Sequence, residues 1–211
     1  MIAASVERLE REVGPDALVL DAGGWGRPLS RADWVIDLGD YATRGQWGHD
    51  GDPATERYNE ETWVQRDLCD REPWPFADHQ FDFAVCSHTL EDLRDPVWVC
   101  AELQRVARAG YVELPAPVDD LTWGVNGPWV GWSHHRWLCF VRDGGLEFVH
   151  KPHLLVSEGR HLPPSAVAGL AIEQRTIHLW WEGELPCRER VFLDPQEFDD
   201  WLAGVLAAQA R

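Results

Sequence analysis

No run of apolar residues in this chain approaches the roughly 20 that a membrane-spanning helix needs, so no spanning segment is expected. The stretch Met1–Glu12 carries acids where a secretory signal would carry an apolar core, and the expected location is the cytoplasm. Cysteine is sparse and unpaired in pattern. Cys69, Cys86, Cys100, Cys139 and Cys187 form neither a CxxC pair nor a zinc spacing, and they read as reduced, mostly buried thiols. Basic residues are few: 19 Lys plus Arg stand against 36 Asp plus Glu, a formal net charge of −17. Such a field repels phosphate backbones and anionic lipid, which excludes nucleic acid and membrane surfaces as expected partners and leaves a small molecule. No repeat, low-complexity tract or linker divides the chain.

What is present is ordinary globular material. The chain has 211 residues, 45% of them hydrophobic and 26% charged, enough for one α/β domain with an elaboration. Its 13 tryptophans bring large apolar area with one donor each, suited to core filling or to the wall of a wide cavity. The texture changes near residue 115. Before it, Val6, Leu9 and Val13 mark one face of a helix that Gly14-Pro15 ends. Ala17–Leu20 running into Asp21, then Trp34–Leu38, Thr62–Arg66 and Phe81–Cys86, read as four buried strands. Asp95 caps a helix with Pro96 at its first position, and its apolar stripe is expected to continue to Ala109-Gly110. Tyr111–Leu114 is a fifth strand. Strands alternating with helices or crossovers predict a mostly parallel sheet, with ligand-binding groups at the strands' carboxyl ends. Asp21, Asp37, Asp67 and Ser87-His88 stand at those ends.

After Pro115 the pattern turns antiparallel. Ser133–Val141 and Leu146–Lys151 flank Arg142-Asp143-Gly144-Gly145 as a β-hairpin, and a second hairpin is expected to pair Ile172–Trp181 with Leu185–Phe192. Asp194-Pro195 then starts an amphipathic helix carrying Phe198, Trp201, Leu202, Val205 and Leu206. The expected division is a core over residues 1–115, with residues 116–211 packed on it as hairpins and a terminal helix, in one compact domain.

Taken in order, Ala17–Gly26, Val35–Asp37, Arg66–Asp70 before Trp74–Asp78, Phe81–Val85 with Ser87–Leu93, and Glu102–Pro115 resemble class I S-adenosylmethionine-dependent methyltransferases of the small-molecule branch. The resemblance implies a Rossmann-like α/β sandwich and methyl transfer to a small polar metabolite such as a sugar or secondary metabolite. It also implies S-adenosylmethionine as cofactor, with Asp21, Gly23, Gly24, Asp37, Asp67 and Ser87 binding it. Asp37 would accept from the ribose hydroxyls, Asp67 would lie beside the adenine, and Ser87 and His88 would lie next to the sulfonium and the substrate. Glu91 and Asp92 would cap or orient. The glycine loop departs from the family pattern at Trp25, Arg27 and Pro28, and Asp21 to Ala32 is barely long enough for a parallel crossover. A short or missing first helix is therefore expected.

Histidine is the other concentration, with His134, His135, His150, His153 and His161 close together. If Asp143-Gly144 is a two-residue turn, continuing the register brings His134 opposite His153, with Arg136 and Lys151 beside them. Two basic neighbours argue against a dication and for an anionic substrate group. The sequence thus predicts His88 and His135 as proton acceptors, His134, Arg136, Trp132 and His153 as substrate contacts, and no metal. Trp123, Trp129 and Trp132 lie on a Gly/Pro-rich loop that suits a lid. Two alternatives stay open: hydrolytic or metal-assisted chemistry in a His-rich cavity of a fold that has lost its methyl donor, and a non-catalytic binding subunit. Oligomeric state is open as well.

Overall fold

A computed structural model describes residues 1–209. Its elements in chain order are α1 (Ala3–Glu12), β1 (Val19–Ala22), β2 (Trp34–Asp37), β3 (Trp63–Gln65), β4 (Phe81–Ser87), α2 (Pro96–Val106), β5 (Ala107–Pro115), α3 (Pro117–Asp120), β6 (Trp137–Arg142), β7 (Gly145–His150), β8 (Thr176–Glu182), β9 (Cys187–Glu189) and α4 (Pro195–Gln209). The main sheet has the order β3-β2-β1-β4-β5-β8, parallel through β5 and closed by antiparallel β8. Both of its faces are buried, which is why its central strands read as continuous apolar runs. On one face Leu9 of α1 packs with Val19, Val35, Phe83 and Tyr111. On the other, Val99, Cys100, Leu103 and Val106 of α2 meet Leu20, Ile36, Ala84 and Val112.

The expected helical stripe overruns its real end. The helix stops at Val106, because Ala107–Gly110 are taken by the ladder that pairs Phe81 with Ala107 and Ala84 with Gly110. Gly110 has no room for a side chain: a Cβ there would collide with the Ala84 carbonyl and reach within 2.6 Å of the Trp181 ring. As expected from its length, the β1–β2 crossover contains no helix, and residues 24–30 form a loop instead.

The first hairpin has the expected register, with Arg142 opposite Gly145. Its period-2 alternation sends Trp137, Cys139 and Phe148 into the main core, and Leu138, Phe140 and Val149 onto Phe198, Leu202 and Val205 of α4. Each such side chain, fully buried, contributes about 1.5–3 kcal/mol. The second expected hairpin does not form. β8 pairs with β5 (Tyr111 opposite Trp180), whereas β9 pairs parallel with β7, so the two segments enter different sheets. An alternating strand pattern carries no record of its partner, and the unpaired edge of β5 captures β8. Nor does His134 meet His153: the β6–β7 ladder ends at Trp137 opposite His150, and Pro152 turns the chain so that His153 begins a short 3-10 turn.

Cys69, Cys86, Cys100 and Cys139 are buried, Cys187 is half-buried, and all five are free thiols. No described helix is long and apolar enough to cross a membrane.

Candidate functional site

The carboxyl ends of β1, β4 and β5 converge on a cleft of about 490 Å³, bordered by Gly23, Gly26, Trp47, Ser87, His88 and Glu113. Two backbone positions shape it. Gly23 has φ +87°, and a Cβ there would strike Thr89, so only glycine fits. His88 has φ +50°, uncommon for a residue with a side chain, and is held there by its amide donating to the Glu113 carbonyl (2.8 Å).

Glu113 organises the floor. A carboxylate inside a buried strand needs partners, and this one, 1% exposed, accepts from the Ile2 amide (2.9 Å), the Tyr111 hydroxyl and the Ser87 hydroxyl (3.4 Å). The Met1 ammonium also lies 3.6 Å from Glu113 and pairs with Asp50. His88 Nε2 lies 3.2 Å from Glu113, and its Nδ1 lies 3.6 Å from Glu91. Burial pushes Glu113 up, yet His88, the ammonium and Tyr111 together hold it at about 2. For His88 burial acts downward, but Glu113 and Glu91 carry it up to about 9. At neutral pH the dyad is imidazolium and carboxylate. Its contribution to stability is present above 4.5 and lost as pH falls through about 2; on the other side it is present below 6.5 and lost as pH rises through about 9. Glu113→Gln is therefore expected to return the His88 pKa toward 6.5, read as an imidazole NMR titration; an unchanged midpoint would remove Glu113 as the cause.

Asp21 lies inside β1, 3% exposed, with Oδ2 accepting from the Leu29 amide (2.8 Å). Burial raises it to about 7. It braces the glycine loop from beneath, since a Cβ on Gly24 would collide with its carboxylate, and it does not border the cleft. Asp37, at the end of β2, accepts from the Trp25 amide (2.9 Å) and the Gly39 amide (2.8 Å), and burial raises its pKa. Beside it Leu38 is 67% exposed. Asp67 accepts from Arg94 (2.7 Å) and the Cys69 amide (2.9 Å) and does not border the cleft.

The Thr89–Leu93 segment leads from this cleft to a second polar centre. The Glu91 carbonyl accepts from the Arg136 amide (2.7 Å), tying the histidine loop to the end of β4. His135 Nδ1 lies 2.9 and 3.0 Å from the two oxygens of Asp120, which is 1% exposed and also accepts from Lys151 (3.0 Å). Burial raises Asp120, but His135 and Lys151 more than offset it and hold it low; the same pairing raises His135 against its own burial. Trp132 stacks on His135 at 5.8 Å and 21°, and His134 meets His135 edge-on at 4.7 Å. Arg136 and His153 are exposed. Trp129 is 47% exposed, whereas Trp123 packs against His161. Sequence reasoning missed Glu113 and Asp120; their signal was an acid within an otherwise apolar strand and one just behind Pro117.

Residues 50–112 match the family described as a methyltransferase domain. Over that segment the chain is similar to methyltransferase domains. Among solved structures it is similar to the YcgJ protein of Bacillus subtilis (15% identity, TM-score 0.40, covering 54% of this chain and 51% of that one). It is also similar to S-adenosylmethionine-dependent methyltransferases of Aquifex aeolicus (16%, 0.37, 53% and 64%) and Mesorhizobium loti (15%, 0.39, 69% and 61%). The chain thus spans about half to under two thirds of the length of these proteins. No curated protein matches it in sequence. A carboxylate has about four lone-pair sites, so the two amides leave Asp37 with acceptor capacity beside the exposed Leu38.

Proposed function

We propose that this protein transfers a methyl group from S-adenosylmethionine to an oxygen, nitrogen or carbon atom of a small polar metabolite. The observation that carries the reading is the cleft at the carboxyl ends of β1, β4 and β5, with the His88–Glu113 dyad at its edge; Asp37, at the end of the adjacent β2, is taken to hold the cofactor's ribose as part of the same proposal. When bound, the cofactor supplies an electrophilic methyl on a cationic sulfonium. Asp37 and Leu38 hold its nucleoside end, and the Gly23–Gly24 backbone, braced by Asp21, faces its methionine end. Glu113, Glu91 and Asp50 at this end are matched by His88, the Met1 ammonium and Arg27, so the cleft carries paired charges of both signs. Ser87 and His88 meet the acceptor. With a pKa of about 9, His88 donates a hydrogen bond at neutral pH and takes the acceptor's proton only once it has lost its own. Trp129, Trp132, His135 and His153 line a separate pocket of about 200 Å³, whose flat apolar and polar surfaces suit a ring.

Asp37→Ala tests the assignment. Loss of hydrogen bonds to a charged group costs about 1.5–3 kcal/mol, so the dissociation constant of S-adenosylhomocysteine should rise roughly tenfold or more. An unchanged constant would remove Asp37 from the cofactor site. Location in the cytoplasm is part of the same proposal and is checked by fractionation.

A further inference from the structure

We infer that Asp92, His134 and His135 form a binding site for a divalent first-row metal of the zinc class. One ligand atom from each of the three lies within 4.8 Å of the others, so a modest side-chain adjustment brings them to a common centre. Zinc bonds imidazole nitrogen at about 2.0–2.1 Å, and two imidazoles with one carboxylate are a donor set it accepts.

Three independent features point the same way. Asp92 Oδ1 is buried without a hydrogen-bond partner, and so is Oε2 of the neighbouring Glu91. Buried carboxylate oxygens are ordinarily satisfied, and two orphans side by side call for a cation. Next, the ring of His135 is already oriented as a ligand would be. Its Nδ1 is held by the Asp120 carboxylate, which leaves Nε2 to coordinate, and a carboxylate behind an imidazole is the usual support of a metal-binding histidine. Trp132 stacked on that ring prevents it from turning. Finally, the two basic residues that spoke against a dication in the sequence are out of play. Lys151 spends its charge on Asp120 and the Trp132 carbonyl (2.8 Å), and Arg136 is exposed. Around the centre Glu91, Asp92 and Asp120 outnumber Lys151, so the site is net negative before the ion arrives.

Three protein ligands, one of them the exposed His134, leave a coordination position for water or for an acceptor oxygen. Glu91 touches this centre through its neighbour and His88 through its side chain, so the ion would lie at the far end of the same polar row as the methyl-transfer cleft. The site stands whether or not methyl transfer does, because none of its three ligands belongs to the cofactor assignment.

The test uses the full chain stripped of metal with a chelator. Zinc chloride is titrated calorimetrically, and cobalt chloride is followed by visible absorption. The expected result is one ion per chain at micromolar affinity or tighter, with a cobalt spectrum lacking thiolate charge transfer. His134→Ala, at an exposed position, and Asp92→Asn should each weaken zinc at least tenfold with thermal unfolding little changed. Asp120→Asn, which keeps all three ligands but loosens their support, should weaken it about 10–100-fold. No stoichiometric binding by the wild type would overturn the inference. So would binding unaffected in both ligand variants, or a thiolate–cobalt band, either of which would place the ion elsewhere.

Discussion

Turnover is expected to rise about tenfold per pH unit between pH 7 and about 9, and then to level. The dyad sets this: with His88 carried up to about 9 by Glu113 and Glu91, only a small fraction of the imidazole is free to accept a proton at neutral pH, and that fraction grows tenfold with each unit. His88→Ala removes the acceptor, and positioned acid–base groups contribute typically 10²–10⁴-fold. The loss should be seen in kcat at pH 9 and should shrink toward pH 6, where the wild-type imidazole is itself protonated. Glu113→Gln should move the rising limb to lower pH. A flat wild-type profile from pH 6 to 9, with His88→Ala fully active, would take His88 out of the chemistry.

The second large effect is on stability. Asp120→Ala is expected to cost about 3–5 kcal/mol, the usual consequence of removing one partner from a buried ion pair. Asp120 is 1% exposed, and its loss strands Lys151 and His135, whose side chains are 9% and 7% exposed. Asp120→Asn should cost less, since an amide oxygen still accepts from one of them. The dependence on pH has a definite sign. Because Asp120 is held below 3.8 in the folded protein, its contribution is complete above that value and disappears as pH falls through the folded pKa. The difference between wild type and Asp120→Ala in urea unfolding should therefore narrow in acid. Equal stability of the two at pH 7 would mean that the triad does not hold the loop.

The parallel sheet was legible because β1, β2 and β4 are buried on both faces and announce themselves as apolar runs, with Asp37 and Ser87-His88 at their ends. The end of α2 was not, since Ala107–Gly110 suit a helix locally and only the pairing with Phe81–Ala84 decides otherwise. β8 and β9 alternate as hairpin arms would, yet each completes a different sheet. At the cleft, His88 could be placed from strand order. Glu113 and Asp120 could not, because what distinguishes them is burial and convergence: partners from residues 1–2, 87–88 and 111 for the first, and from 135 and 151 for the second.

Calorimetric titration of the wild-type chain with S-adenosylmethionine and S-adenosylhomocysteine tests the central claim most directly. One-to-one binding of both compounds at micromolar concentrations is the predicted result, whereas absence of measurable heat with either at millimolar concentration would contradict methyl transfer.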